Sequence, residues 1–302
     1  KAGSTNLHDH EFKVYSQWGE DGIIQYLIHT IEIPNTIFIE FGVQDYQESN
    51  TRFLVQNNNW SGLVMDSSPE FIERIKNEPL YFRHNLRAEC AFIDKDNIND
   101  LFERNGIRGD IGLLSIDIDG MDYWIWDAIT TVTPRIVICE YDSFLGCERA
   151  VVTPYDRSFD RLKAHYSFLY GGSSILALTN LARKKGYSLV GSNSNGVNAF
   201  FVRNDCLGSL NVLSPREAHV VGQFRNSHDR EGKRTYLSAA EGIKVIADMP
   251  LFDDAAIVLK YMDNYASGAF YSYNMQDGPI FGISSFMHGV LAGGFAYSHL
   301  FS

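Results

Sequence analysis

Apolar residues fall along this chain in two alternating rhythms. Short continuous runs bounded by turn residues occur at Ile37-Phe38-Ile39-Glu40-Phe41, at Ser61-Gly62-Leu63-Val64-Met65-Asp66, from Ile111 to Asp117 and from Arg135 to Tyr141. Runs of this kind predict strands buried on both faces of a sheet. Between them, apolar positions recur at helical spacing. Residues 16–32 place Ile23, Ile24, Leu27 and Ile28 on one side, and residues 50–56, 95–104 and Met121 to Ile129 read as further helices. Ser67-Ser68-Pro69-Glu70 has the composition of a helix start, and residues 80–87 read as a third strand. Strand and helix in regular alternation imply a parallel sheet covered on both faces.

After Tyr141 the rhythm breaks. Residues 142–172, rich in Asp, Tyr, Gly and Pro, predict a loop-rich insertion. Ser173 to Lys185 predicts a helix closed by Gly186. Tyr187 to Gly191 and Val197 to Arg203 then form two strands around Ser192-Asn193-Ser194-Asn195-Gly196, a connection so short that the pair must be antiparallel. The expected fold is therefore doubly wound α/β, a mostly parallel seven-stranded sheet finished by a C-terminal antiparallel hairpin. A helical segment over 1–34 precedes the domain at 35–205, and a mainly helical appendage over 206–302 follows. The appendage helices are expected at Ser214 to Phe224, Ala239 to Ala247 and Ala255 to Asn264, and the Gly-rich stretch Ile280 to Ser302 is read as a docked tail or interface segment.

Charge narrows the partners. The formal net charge of −11 repels phosphate backbones and anionic lipid, which disfavours nucleic acid and membrane surfaces as partners. No run of roughly 18 apolar residues is present to span a bilayer. Four cysteines stand far apart without a C-x-x-C pair, which argues against a zinc knuckle and suits a reducing cytoplasm. The first residues lack a signal-peptide core, so the expected location is cytoplasmic. Self-association into a homo-oligomer stays open.

Acids gather where the strands end. Glu40 and Gly42 close the first strand, Asp66 the second, Asp117 and Asp119 the fourth, and Glu140 and Asp142 the fifth. Open α/β sheets bind ligands at that edge. Gly42 would let the backbone approach a ligand, and a carboxylate at Asp66 can accept both ribose hydroxyl hydrogens. Nicotinamide enzymes require three glycines around a pyrophosphate. Here the loop reads Gly42-Val43-Gln44-Asp45-Tyr46, which lacks two of them and adds a repelling acid. A sulfonium cofactor, positive and without phosphate, suits the acids better. The plainer alternative has Glu40 capping a structural turn.

Asp117-x-Asp119-x-x-Asp122 and Glu140-x-Asp142 offer the oxygen ligands Mg²⁺ prefers, with Asp119, Glu140 and Asp142 as the ligand set. Alternatively one of these acids serves as a general base without metal, or Asp119 and Asp122 cap the following helix. His165, in the insertion, is a candidate acceptor base near neutral pH. Trp124, Trp126 and Tyr123 read as packing under the sheet rather than as sugar-stacking residues.

Several motifs together resemble a known family. Ser16-Gln17-Trp18-Gly19-Glu20-Asp21-Gly22, Ile39-Glu40-Phe41-Gly42, Glu48-Ser49-Asn50-Thr51-Arg52, Leu114 to Trp124, Glu140-Tyr141-Asp142 and Gly196 to Val202 are similar to FkbM-type and related class I S-adenosylmethionine-dependent methyltransferases. The resemblance covers residues 15–205 and implies a Rossmann-like methyltransferase fold with S-adenosylmethionine as cofactor. It would set Glu40 and Gly42 beside the methionine part, Asp66 on the ribose and Asp117 near the amino group, with Gln17 and Asn50 as further contacts. It implies O-methyl transfer to a small-molecule or glycan acceptor, a sugar or glycan precursor of a polysaccharide or natural-product pathway, with Asp119, Asp142 and His165 as catalytic candidates and Mg²⁺ as an optional aid. Gln44 and Tyr46 stand where such a family commonly has glycine. That departure suggests the alternative of a catalytically silent, cofactor-binding scaffold in a glycan-assembly complex.

Overall fold

The computed structural model describes residues 3–222 and 227–253. The chain divides into two compact units, 1–249 and 250–302, and the account that follows is of the first. Its first eight strands are β1 (Ile37–Phe41), β2 (Ser61–Asp66), β3 (Leu86–Cys90), β4 (Gly109–Ile116), β5 (Val132–Glu140), the two-residue β6 (Val151–Val152), β7 (Tyr187–Ser192) and β8 (Asn198–Arg203). All but β6 join one sheet in the order β3-β2-β1-β4-β5-β8-β7. β1 to β5 run parallel, while β8 lies antiparallel to both β5 and β7. Strand order reverses between β1 and β4, and there the carboxyl ends of the strands open a crevice.

The helices are α1 (Glu20–Thr30), α2 (Arg52–Asn58), α3 (Pro69–Asn77), α4 (Pro79–Arg83), α5 (Ile98–Arg104), α6 (Asp122–Ala128), α7 (Arg161–Ala164), α8 (Ile175–Lys184), α9 (Pro215–Ala218) and α10 (Ala239–Val245). Successive strand residues point to opposite faces, so each face needs its own cover. Ile23, Ile24 and Leu27 of α1, Leu54 of α2 and Ile72 of α3 pack with Phe38, Val64, Leu113 and Ile136 in one buried cluster. On the other face, Trp126 of α6 packs 4.9 Å from the Phe201 ring. Trp124 and Tyr123 are buried too, and the Trp124 indole donates to the Thr153 carbonyl at 2.8 Å.

The third strand lies later than its sequence pattern implies. Residues 79–83 form α4, started by Pro79, whose fixed φ suits a first helical turn, and the strand is Leu86–Cys90. The expected helix at Ser214 to Phe224 shrinks to α9, closed by a capping box between Ser214 and Glu217. Beyond it the chain is tied to β5: Val220 N–H donates to the Tyr141 hydroxyl at 3.2 Å, and Gly222 N–H donates to Ser143 Oγ at 3.0 Å. The charged run after His228 closes a small hairpin, β9 (Ser227–His228) with β10 (Arg234–Thr235). Among the described residues, then, 206–249 is not mainly helical, and it belongs to the same unit as the α/β domain. Phe224, the helix expected at Ala255 to Asn264 and the stretch Ile280 to Ser302 lie outside the described residues.

The insertion leaves β5 and returns to it. Asp142 N–H donates to the Ser173 carbonyl at 2.9 Å, and Thr153 N–H donates to the Gly172 carbonyl at 2.9 Å. Gly172 N–H reaches the Gly120 carbonyl at 3.1 Å, which pins the insertion to the loop after β4. Gly172 has φ +70°, and a Cβ there would lie 2.1 Å from Asp142 Oδ2, so a side chain would be strained and would push that carboxylate aside.

Candidate functional site at the strand ends

The loop after β1 is shaped by three left-handed residues. Gly42 has φ +78°, Gln44 +48° and Tyr46 +63°. A Cβ at Gly42 would lie 1.6 Å from the Asp117 carbonyl oxygen, so glycine is demanded by the close approach of the loop after β4. The other two positions pay a steric cost of about 1 kcal/mol each. Their partners offset it. Gln44 N–H donates to Asp66 Oδ2 at 2.8 Å. The Tyr46 ring is buried, its hydroxyl lies 2.8 Å from Thr51 Oγ1, and its carbonyl accepts from Arg52 Nη1 at 2.8 Å. Arg52 is itself held by Glu78 at 2.8 Å. The backbone shape usually assigned to glycines is thus made here by residues anchored through their hydrogen bonds.

Two cavities open at this edge of the sheet. The larger, about 1230 Å³, is lined by Gln17, Gly42 and Asp117, by the β5 end and by the insertion arm around Phe159 and Arg161. The smaller, about 190 Å³, has Asp66 at its rim and Met65, Ile93, Met121 and Ile125 among its walls. Gly42, Gln44, Asp117 and Asp119 line both, as do Arg157 and Phe159 of the arm. Asp66 accepts Gln44 N–H and Ser68 N–H, each at 2.8 Å, on different oxygens. Each oxygen keeps a lone pair free for a ligand hydroxyl.

Charge in the larger cavity is lopsided, with six carboxylates against three cationic side chains among the lining residues described. Asp117 is exposed toward the cavities it lines and enclosed by protein elsewhere. Burial first, then the negative charges of Asp122, Asp119 and Glu40, pushes its carboxyl up to about 8. Burial likewise raises Asp142 to about 6, against the opposing pull of Arg161, and raises Glu140 well above its usual range. Asp122 is buried and accepts from Ile118 N–H at 2.9 Å and Gly120 N–H at 3.0 Å. It fixes the turn that carries Asp119, which is itself exposed with φ +57°. A non-glycine residue in that conformation, set in a cavity, is where strain and function tend to coincide.

The structure does not bring every sequence candidate together. Glu40 is buried and accepts from Asn50 N–H at 2.8 Å and from Thr51 N–H at 3.1 Å, so its carboxylate holds the start of α2 and lines neither cavity. Asn50 turns its amide to Ser115 Oγ at 3.0 Å and also lies outside both linings. Gln17, Gly42, Asp66, Asp117, Asp119, Glu140 and Asp142 do line a cavity. His165 does not: the chain is extended there after α7, and its Nδ1 sits 2.8 Å from Ser167 Oγ. The expected metal set is also rearranged. The acids whose oxygens lie within 4.8 Å of one another are Asp117, Asp122 and Glu140, while Asp142 is paired with Arg161 at 3.1 Å. Sequence reading missed Arg161 and Arg157, which sit in an irregular segment without periodicity. It also missed Ile93 and Asp94, which follow β3 and become visible only when that strand is placed at 86–90.

No protein-family model and no curated protein matches the chain. Among solved structures, an S-adenosylmethionine-dependent methyltransferase from Clostridium acetobutylicum superposes with a TM-score of 0.32 at 15% identity, covering 48% of this chain and 58% of that one. The StiE O-MT superposes with a TM-score of 0.33 at 13% identity, covering 56% of this chain and 51% of the other. The chain therefore spans little more than half the length of either, and what those two proteins do is said of them alone.

Proposed function

We propose that this chain is an S-adenosylmethionine-dependent O-methyltransferase acting on a sugar or glycan precursor. The observation that carries the reading is the placement of Asp66, Asp117 and Asp119 around two adjoining cavities beside the β1–β4 reversal point. The donor set fits that cofactor. Asp66 stands where a ribose diol needs acceptors, the apolar walls at Ile93, Met121 and Ile125 suit a nucleobase, and Asp117 would meet the amino group. Acidic side chains outnumber cationic ones around the larger cavity, and in their ionised forms they favour a positive sulfonium and oppose a pyrophosphate, which counts against a nicotinamide cofactor.

When bound, S-adenosylmethionine supplies a methyl group activated for transfer to a nucleophilic oxygen. The residues of this chain hold and orient the reactants, and orientation can account for about 7–11 kcal/mol of a barrier of this kind. Asp119, exposed in the larger cavity, is positioned to take the acceptor hydroxyl proton, with Asp142 as the second candidate. Phe144 lines the larger cavity alone, and Phe92 and Phe159 line it where it adjoins the smaller one; with the carboxylates they make a mixture that suits a sugar ring, aromatic faces for stacking and acceptors for hydroxyls. The scaffold alternative drew on Gln44 and Tyr46, and their left-handed conformations weaken its motive.

Calorimetric titration with S-adenosylmethionine, S-adenosylhomocysteine and NAD tests the reading. Micromolar binding of the adenosyl ligands, lost in Asp66→Ala and without an NAD response, is the expected result. Failure of both adenosyl ligands to bind a folded protein would refute it.

A further inference from the structure

We infer that Arg161 is the resident cation of the acid cluster, holding Glu140 and Asp142 as an arginine-bound pair and displacing a divalent metal from that role. The inference deepens the proposed reading of this site, but its chemistry can be tested without methyl transfer.

The geometry is specific. Arg161 Nη2 lies 3.1 Å from Asp142 Oδ1, and Nη1 lies 3.8 Å from Glu140 Oε1. Its Nε donates to the Phe168 carbonyl at 3.1 Å, and its side chain is only 22% exposed. Phe168 takes a left-handed φ of +60° to present that carbonyl. Gly172 leaves the space that Asp142 Oδ2 needs, since a Cβ there would collide with it. A left-handed Phe168 and a left-handed glycine, both on the insertion, thus flank one ion-pair arrangement. The guanidinium stays charged at any working pH, and its planar fork can face two carboxylates at once.

Arg161 already holds a cation's place beside Glu140 and Asp142, two of the three carboxylates expected to ligate a metal. Magnesium demands near-octahedral oxygens at about 2.0–2.1 Å. Asp122 is held on its own turn, each oxygen accepting one backbone N–H group. Asp142 is engaged by Arg161, and Asp119 stands outside the group of acids that approach one another. A second positive charge beside Arg161 would be repelled at close range. In this arrangement Arg161 is a positioning residue. It sets its charge against Glu140 and Asp142 and ties both to the insertion arm that lines the cavity.

Mn²⁺ alone is the probe, followed at pH 8 by the electron paramagnetic resonance of the free ion, with circular dichroism to check folding. Wild type should show no site tighter than about 1 mM, and Arg161→Met should gain a site at least about tenfold tighter. That site should vanish when Glu140→Gln is added, and Arg161→Lys should behave as wild type because it keeps the charge. A tight site in the wild-type protein that Glu140→Gln abolishes would overturn the inference. So would a folded Arg161→Met protein that gains no site. Should Arg161→Met fail to fold, wild type and Glu140→Gln decide the matter: no site in either supports the inference, and a site lost in the variant refutes it. None of these outcomes depends on S-adenosylmethionine binding.

Discussion

Raising the pH from 6 to 8 titrates Asp117, whose carboxyl is pushed up to about 8 by burial and by its acidic neighbours. All of those influences disfavour its charged form, so in the unliganded protein at pH 7 it is mostly neutral. A ligand carrying an ammonium and a sulfonium needs the carboxylate and must therefore expel the proton. The ionised share is about one hundredth at pH 6, one tenth at pH 7 and one half at pH 8, so apparent affinity should improve roughly tenfold over the first step and roughly fivefold over the second. Binding at pH 7 should release most of a proton per ligand. Titration calorimetry in buffers of different ionisation enthalpy reads both quantities. S-adenosylhomocysteine, which keeps the ammonium and lacks the sulfonium, separates the two charges. Asp117→Asn should flatten the dependence. Affinity that varies less than about twofold across the range, with heats equal in phosphate and Tris, would refute the assignment of Asp117 to the cationic ligand.

The same group has the opposite sign in the empty protein. A carboxyl raised in the fold contributes stability that is fully present below its unfolded value of about 4 and is lost as pH rises through about 8. Unliganded protein should melt at lower temperature at pH 8 than at pH 5. The upshift produced by the cofactor should grow over the same interval.

Further substitutions separate structure from ligand contact. Gly42→Ala would force a Cβ against the Asp117 carbonyl and should cost about 2–4 kcal/mol in urea unfolding, with ligand binding lost alongside. Gln44→Gly should be neutral or stabilising by up to about 1 kcal/mol, the reverse of the usual cost of glycine, because it relieves a left-handed residue. A loss above that size would show that the Gln44 side chain holds the loop. Glu40→Ala should destabilise by about 2–4 kcal/mol, since it strands the N–H groups of Asn50 and Thr51. If Glu40→Ala left stability unchanged but weakened the cofactor, the structural role given to it here would fail.

What the sequence discloses of the fold depends on burial. β1, β2, β4 and β5 are covered on both faces, so they read as unbroken apolar runs, and β8 does too. β3 is an edge strand in which only Leu86 and Ala88 are buried, and its pattern is correspondingly faint. The stronger apolar group just before it, Leu80-Tyr81-Phe82, draws the strand assignment, yet Phe82 is 77% exposed in α4. Leu80 is buried in the core while Phe82 faces out, so the group belongs to a short half-buried helix, and nothing within the segment distinguishes it from a strand.

The acids are legible for a different reason, and only in part. Parallel strands finish at one edge, so a carboxylate after each run must land in the same region whatever the register. Sequence cannot tell which way each carboxylate then turns, because that depends on which donors the folded backbone presents to it. Glu40 turns inward because the N–H groups of Asn50 and Thr51 are presented to it, and Asp122 turns back onto its own turn for the same reason. Asp142 meets Arg161, which comes from a segment with no helical or strand rhythm to mark it. Asp66, Asp117 and Asp119 are left facing the cavities. The acids that looked equivalent in sequence therefore divide into braces, an arginine-held pair and ligand-facing groups. Exchange of Glu40 or Asp122 should move the unfolding midpoint, whereas exchange of Asp119 should leave it in place and remove turnover.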